Sequence, residues 1–404
     1  LAAFRQEHLF TDPDLIYLDG NSLGRLTRRT PGRLQAAVEE EWGKQLVRGW
    51  NTGWYEAPIR VGEKIARLIG AGPGQVTVAD STSVNLFKLT VAALSIRPER
   101  DVILSDTLNF PSDLYVLQGV VHLFGDRHRL QTIRTAEGIY GDETTLLASM
   151  TEETALVSLS HVTYKSGFMY DAARITERAH QVGALVLWDV CHSVGAAPVE
   201  LDRWGADLAV GCTYKYLNGG PGSPAFLYVR RDLQEQVSSP IWGWFGQRSP
   251  FAFRLDYLPA PGIHRFLAGS PPILSLLAME AALDPLLAAG TERLRGKSVR
   301  LTSYLVALVD RVLVPLGFRL ASPREPERRG SHVTVRHPEG YRINRALIEE
   351  MGVLPDFREP DNIRLGLAPI YTRFVDVYEA VERIRRVVEE GLYQRYPAAR
   401  LAVT

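Results

Sequence analysis

Short apolar runs rich in leucine and β-branched residues recur at 75–79, 101–104, 155–160, 184–189, 208–211 and 225–229. Several are separated by helix-like patterns, such as residues 171–183. Runs that stay apolar instead of alternating mark strands covered on both faces, and the helices between them supply the crossovers that a parallel sheet needs. The expectation is an α/β fold with a mostly parallel sheet. After Pro271-Pro272 the pattern changes to long helical stretches at 273–289 and 293–313. Two strand-like runs follow at 331–335 and 362–367, then a closing helix over 374–390. A chain of 404 residues exceeds what one core usually fills. A large domain over 51–270 and a smaller α+β domain over 271–404 are therefore expected, with residues 1–50 as an N-terminal segment and the boundary in the Pro- and Gly-rich passage 260–275. The charged segment 325–330 reads as a solvated turn.

Composition narrows the partners. Lys plus Arg and Asp plus Glu each number 46, so no net field draws nucleic acid or an anionic membrane, and a small neutral or zwitterionic ligand fits better. The only two cysteines, Cys191 and Cys212, argue against a disulfide framework and point to a reducing cytoplasm. The opening residues contain no signal-like apolar region, and the apolar stretch 272–290 carries Glu280 and Asp284, so it reads as a buried helix and not a membrane span. No metal-binding spacing is present, and no metal is expected.

The chemistry gathers where two apolar runs end. Asp189 closes the run Ala-Leu-Val-Leu-Trp, and Lys215 follows the next run inside Cys-Thr-Tyr-Lys-Tyr-Leu-Asn-Gly-Gly-Pro-Gly. Strand, crossover and strand would bring both to one edge of a sheet, where open α/β folds bind ligands. A lysine for a Schiff base and an acid for a pyridinium nitrogen are what a pyridoxal phosphate (PLP) enzyme requires. Apolar, glycine-rich surroundings would lower the lysine's pKa. The bland alternatives are a surface lysine and an aspartate at a helix amino terminus.

His192 would stack on a cofactor or simply cap a helix. Residues 81–85, Ser-Thr-Ser-Val-Asn, precede a helical pattern and suit either a phosphate or an ordinary cap. The segment from Asn109 through Phe110, Pro111, Ser112 and Asp113 reads as another capped helix start. Arg364, inside an apolar run, seeks a carboxylate, either a structural partner or that of a substrate. The cysteines read as small packing residues.

Together these segments resemble the kynureninase family, of bacterial type, within the aspartate aminotransferase-like PLP enzymes (fold type I). The resemblance runs from Tyr-Leu-Asp-Gly-Asn-Ser-Leu-Gly at 17–24, through 109–115, 188–193 and the lysine segment, to Gly-Ser-Pro-Pro-Ile-Leu at 269–274 and Ile-Arg-Leu-Gly-Leu-Ala-Pro-Ile-Tyr at 363–371. It implies that Lys215 binds PLP covalently, Asp189 holds the pyridine nitrogen and Phe110 stacks on the ring. Thr82, Ser83, Tyr214 and Trp244 match phosphate-binding positions, with Ser270 reaching across a dimer interface. Pro111, Ser112, Asp113, Ser160 and His192 match further cofactor contacts. Arg364 matches the arginine for the substrate carboxylate, and Tyr214 is the candidate general acid/base.

The implied reaction is hydrolysis of L-kynurenine to anthranilate and L-alanine in tryptophan catabolism. A homodimer is implied, with residues 1–50 packing on the small domain and on the partner. Trp50 and Ser270 suggest a preference for kynurenine over 3-hydroxykynurenine. Another class V aminotransferase-like enzyme or a non-catalytic PLP-binding protein would share Lys215 and Asp189. A cysteine desulfurase would need a cysteine beyond Cys212, and there is none.

Overall fold

The computed structural model describes residues 1–135, 137–397 and 399. Its strands in chain order are β1 (Ile16–Tyr17), β2 (Val76–Val78), β3 (Val102–Asp106), β4 (Arg129–Ile133), β5 (Thr154–Ser160), β6 (Leu185–Asp189), β7 (Leu208–Gly211) and β8 (Phe226–Val229). They continue with β9 (Arg319–Leu320), β10 (His332–Arg336), β11 (Val353–Leu354), β12 (Asp356–Arg358) and β13 (Asn362–Gly366).

The large sheet has the order β2-β8-β7-β6-β5-β3-β4. Strand β8 runs antiparallel to both neighbours, and the pairings from β7 through β4 are parallel. Along β6, Leu185 and Leu187 enter one apolar cluster while Val186 and Trp188 enter another, so both faces are covered. That double burial is why the strand reads as an unbroken apolar run. The expected α/β class with a mostly parallel sheet is what the chain adopts. Strand β4 was not expected, because Arg129, Gln131 and Thr132 break the apolar signal on a sheet edge that one face of solvent reaches.

The second core is built on an antiparallel sheet of order β12-β13-β10-β9. The helices Thr291–Leu308, Gly340–Met351 and Phe374–Glu389 pack with it through Leu301, Leu305, Ile343, Leu347, Val377 and Ile384. Strand β1 pairs in parallel with β11, and Ile16 and Leu18 join this core, which ties the N-terminal segment to the small domain. By packing, the helix Ile273–Ala289 lies with the large core through Leu276, Met279, Leu283 and Leu286, beside Val61 and Ile65. Among the described residues, no single helix is long and apolar enough to cross a membrane.

In the segment 325–330, Glu325 and Glu327 are exposed as its charge predicts, and Arg329 and Gly330 depart from that expectation. Arg329 is 1% exposed, and its guanidinium donates to the carbonyls of Pro323 and Arg324 and to Ser303 Oγ. The neighbouring backbone joins the two domains: Met169 N donates to Arg328 O, and Gly330 N to Gly167 O. Buried carbonyls needed a donor, and an arginine provides several at once.

Candidate active site

Strands β6 and β7 are adjacent and parallel, with Asp189 in register with Val210. Asp189 and the loop carrying Lys215 therefore emerge together at the carboxyl end of the sheet. They open into a cavity of about 310 Å³ whose lining also includes Thr82, Ser83, Phe110 and Arg364.

Asp189 is held rigidly. Its Oδ1 accepts a hydrogen bond from Cys191 N at 2.7 Å, and Ser160 Oγ lies 3.4 Å from its Oδ2. Ser160 in turn reaches Asn109 Oδ1 at 2.7 Å. Asp113 faces the same spot, and burial together with the charge of Asp189 pushes its carboxyl well above the usual range. The two buried carboxyl groups are therefore electrostatically coupled.

Lys215 Nζ sits 3.2 Å from His192 Nε2 and 5.8 Å from the centroid of the Phe110 ring. Burial and the nearby Lys215 charge hold the His192 imidazole well below its usual range, so it is neutral. Its Nε2 then accepts from the lysine, which leaves the proton on Nδ1, an atom buried without a partner. The lowered lysine pKa expected from the apolar surroundings does not hold. Burial does act downward, but Cys212, Cys191 and Asp189 outweigh it, and the free amine is held above its ordinary value.

The Lys215 loop is locked by the N-terminal motif. Gly24 N donates to Tyr214 O at 2.7 Å, and a Cβ on Gly24 would lie 2.3 Å from Lys215 O and 2.4 Å from Asn218 Oδ1. Only glycine allows that approach. Burial, with Cys212 next, pushes the Tyr214 phenol far up, so it holds its proton.

Two helix amino termini border the same cavity. The helix Thr82–Ser95 and the helix Pro111–Leu123 point their amino termini here, and Ser83 Oγ and Ser112 Oγ are 3.1 Å apart. Thr82, Ser83 and Tyr214 also border an adjoining cavity of about 490 Å³ that ends at Pro272. Phe110 precedes the second helix and Pro111 starts it. Pro111 sets that start without lining the cavity, whereas the Phe110 ring does line it and meets Tyr164 edge-on at 5.2 Å.

Arg364 closes the far end from β13. Its side chain is 2% exposed and forms a two-pronged ion pair with Asp356, with Nε to Oδ1 at 2.6 Å and Nη2 to Oδ2. Its Nη1 donates to Tyr164 O at 2.6 Å and its Nη2 to Ser22 Oγ at 3.1 Å. The structural carboxylate anticipated for this arginine is present, and the cavity wall is reached as well.

Trp50, Trp244 and Ser270 lie outside this cavity. Trp50 packs on Phe245 at 5.5 Å and Trp244 on the same ring at 4.5 Å, while Ser270 is exposed on the loop before the helix Ile273–Ala289. Sequence reading missed Asp356, Arg358 and Tyr164. A short edge strand such as Asp-Phe-Arg carries no periodic signal. Asn21 and Ser22, both lining the cavity, were visible only as part of the motif at 17–24.

A doubly covered parallel sheet with lysine, aspartate and helix amino termini at its carboxyl edge, beside a smaller α+β domain, is the aspartate aminotransferase-like architecture, PLP fold type I. Among solved structures, the complex of the cystine C-S lyase C-DES with cysteine persulfide aligns with a TM-score of 0.79 at 18% identity, over 92% of this chain and 98% of that one. The family model "Kynureninase C-terminal domain" matches residues 294–384. Over 397 residues the chain is 44% identical to a kynureninase of Burkholderia pseudomallei (strain K96243), covering 96% of this chain and 93% of the relative. A kynureninase of Pseudomonas fluorescens is 44% identical over 395 residues, covering 96% and 92%. The chain belongs to the kynureninase family.

Proposed function

We propose that this protein binds pyridoxal phosphate and hydrolyses L-kynurenine to anthranilate and L-alanine, a step of tryptophan catabolism. The observation that carries this reading is the meeting of Lys215, Asp189 and Arg364 around one cavity in a chain of this family. The residues fit the cofactor. A buried amine and a buried carboxylate face a space bounded by an aromatic ring, and two helix amino termini offer an anion site.

In this reading Lys215 is the covalent anchor, and Asp189, kept in place by Cys191 N and Ser160, holds the pyridine nitrogen. Phe110 covers one ring face. Thr82, Ser83, Ser112 and Tyr214 take the phosphate, and Pro111 sets the helix that presents Ser112. Asp113 and His192, which both line the cavity, hold cofactor edges. When bound, PLP supplies an electron sink for carbanions next to the substrate nitrogen.

Arg364 fixes the α-carboxylate, which sets the Cα proton within reach of Lys215. Lys215 moves that proton. Tyr214, holding its own proton, acts as general acid/base while water adds to the ketone and the bond between Cβ and the ketone carbon breaks. Cβ gains a proton to give alanine, and the ketone carbon leaves as the carboxylate of anthranilate.

The protein would act as a homodimer, which would let Trp50, Trp244 and Ser270 of a second copy complete each site. Their position outside the cavity of one chain supports this. Trp50 and Ser270 favour kynurenine over 3-hydroxykynurenine. The two free, buried cysteines suit a cytoplasmic location.

Purified holoprotein should be yellow and should turn kynurenine into a blue-fluorescent product without a 2-oxo acid. Lys215→Ala should lose both properties. Colour with no fluorescence would reject the reaction, and turnover that requires a 2-oxo acid would make the protein an aminotransferase.

A further inference from the structure

We propose that Arg358 is a second arm of the substrate-carboxylate subsite and supplies the net positive charge that Arg364 does not. The inference rests on the kynurenine reading and deepens it.

Arg364 is spent. Of its five N–H donors, four are engaged by Asp356, Tyr164 O and Ser22 Oγ, and its charge faces a carboxylate gripped at both oxygens. Such a group offers an arriving carboxylate orientation through its one remaining N–H, while most of its charge is balanced by Asp356. The same Asp356 lies 2.8 Å from Arg358 Nη2, so two guanidinium groups share one carboxylate. The surplus falls on Arg358. Its side chain is 36% exposed against 2% for Arg364, and it lines the cavity that holds Lys215.

A second carboxyl also acts on this pair. Burial and the charge of Asp356 hold Asp19 up to about 7, so near neutral pH it offsets only part of the surplus. A ligand carboxylate would restore balance by meeting Arg358 at the open side of the cavity while Arg364 sets its orientation from below. If Arg358 served only to hold Asp356, its loss would affect every substrate alike.

The test uses holoenzyme with L-kynurenine and with its carboxamide, which lacks the negative charge. Arg358→Gln should raise KM for kynurenine about tenfold or more, the value of one charge-assisted contact, with kcat within about twofold. KM for the carboxamide should not move. Arg358→Lys should recover part of the loss, and it also serves if the Gln variant folds poorly. Equal effects on both substrates, or none, would overturn the proposal. Titration of the cofactor absorbance with L-alanine and L-alaninamide reads the same subsite without turnover. If wild type makes no anthranilate, the kynurenine reading fails, and the alanine titration still decides the role of Arg358: the Gln variant must weaken alanine and spare alaninamide, or the proposal falls.

Discussion

Asp356→Asn should destabilise the protein by about 3 kcal/mol, because it strands the buried Arg364 guanidinium and also takes away the carboxylate that Arg358 shares. The side chains of Asp356 and Arg364 are 3% and 2% exposed, so the Nε–H and Nη2–H aimed at Asp356 lose their acceptor within the junction of Tyr164, Ser22 and the small sheet. Breaking such a pair from one side costs about 3–5 kcal/mol. Asparagine keeps one acceptor oxygen, which returns about 1 kcal/mol of that. The assay is urea unfolding of Asp356→Asn, Arg364→Gln and the double variant, followed by tryptophan fluorescence. A buried, mutually dependent pair requires a coupling energy of about 2 kcal/mol or more. Single-variant costs that add within about 0.5 kcal/mol would refute the reasoning, since that is how independent groups behave.

Two further outcomes follow from the site. Asp19 releases its proton near pH 4 when unfolded but near about 7 when folded, so the folded state binds more protons between those values. Asp19's own contribution to stability should therefore fall as pH rises through that window, by up to about 1.4 kcal/mol per unit, and level off above it. Asp106 and the buried His8, His161, His192 and His332 also titrate differently in the two states, so the readout is the difference between wild type and Asp19→Asn, which should change across this window as wild type loses the contribution of Asp19. Parallel curves for the variant and wild type between pH 5 and 8 would reject the assignment. Tyr214→Phe should keep the cofactor colour and lose about 10²–10⁴ in kcat, the usual worth of a positioned acid/base. A loss below threefold would hand the proton transfer to another group.

What was legible early was what leaves a local signature. Strands β5, β6 and β7 sit between two covering layers, so each appears as a continuous apolar run. Asp189 and Lys215 stand out because each interrupts the apolar pattern at the end of such a run. Strand β4 and Asp356 leave no comparable trace: one is half-wet at a sheet edge, and the other gains its meaning from an arginine on the neighbouring strand. Arg329 in the charged segment 325–330 misleads for a related reason, since a guanidinium buried among carbonyls and one in water look identical in one dimension.

The amino-acid sequence by itself determined the α/β class, the place of the lysine and aspartate at the sheet's carboxyl edge, and the resemblance that comparison with curated relatives bore out. Only the tertiary structure decided the protonation of the site and its charge balance. It holds the His192 imidazole below and the Asp113 carboxyl and Lys215 amine above their usual ranges, it sets Asp356 between two arginines, and it leaves Trp50, Trp244 and Ser270 outside the cavity. The reason is physical: apolar periodicity is a local property, whereas desolvation and Coulomb interactions depend on which distant segments fold against one another.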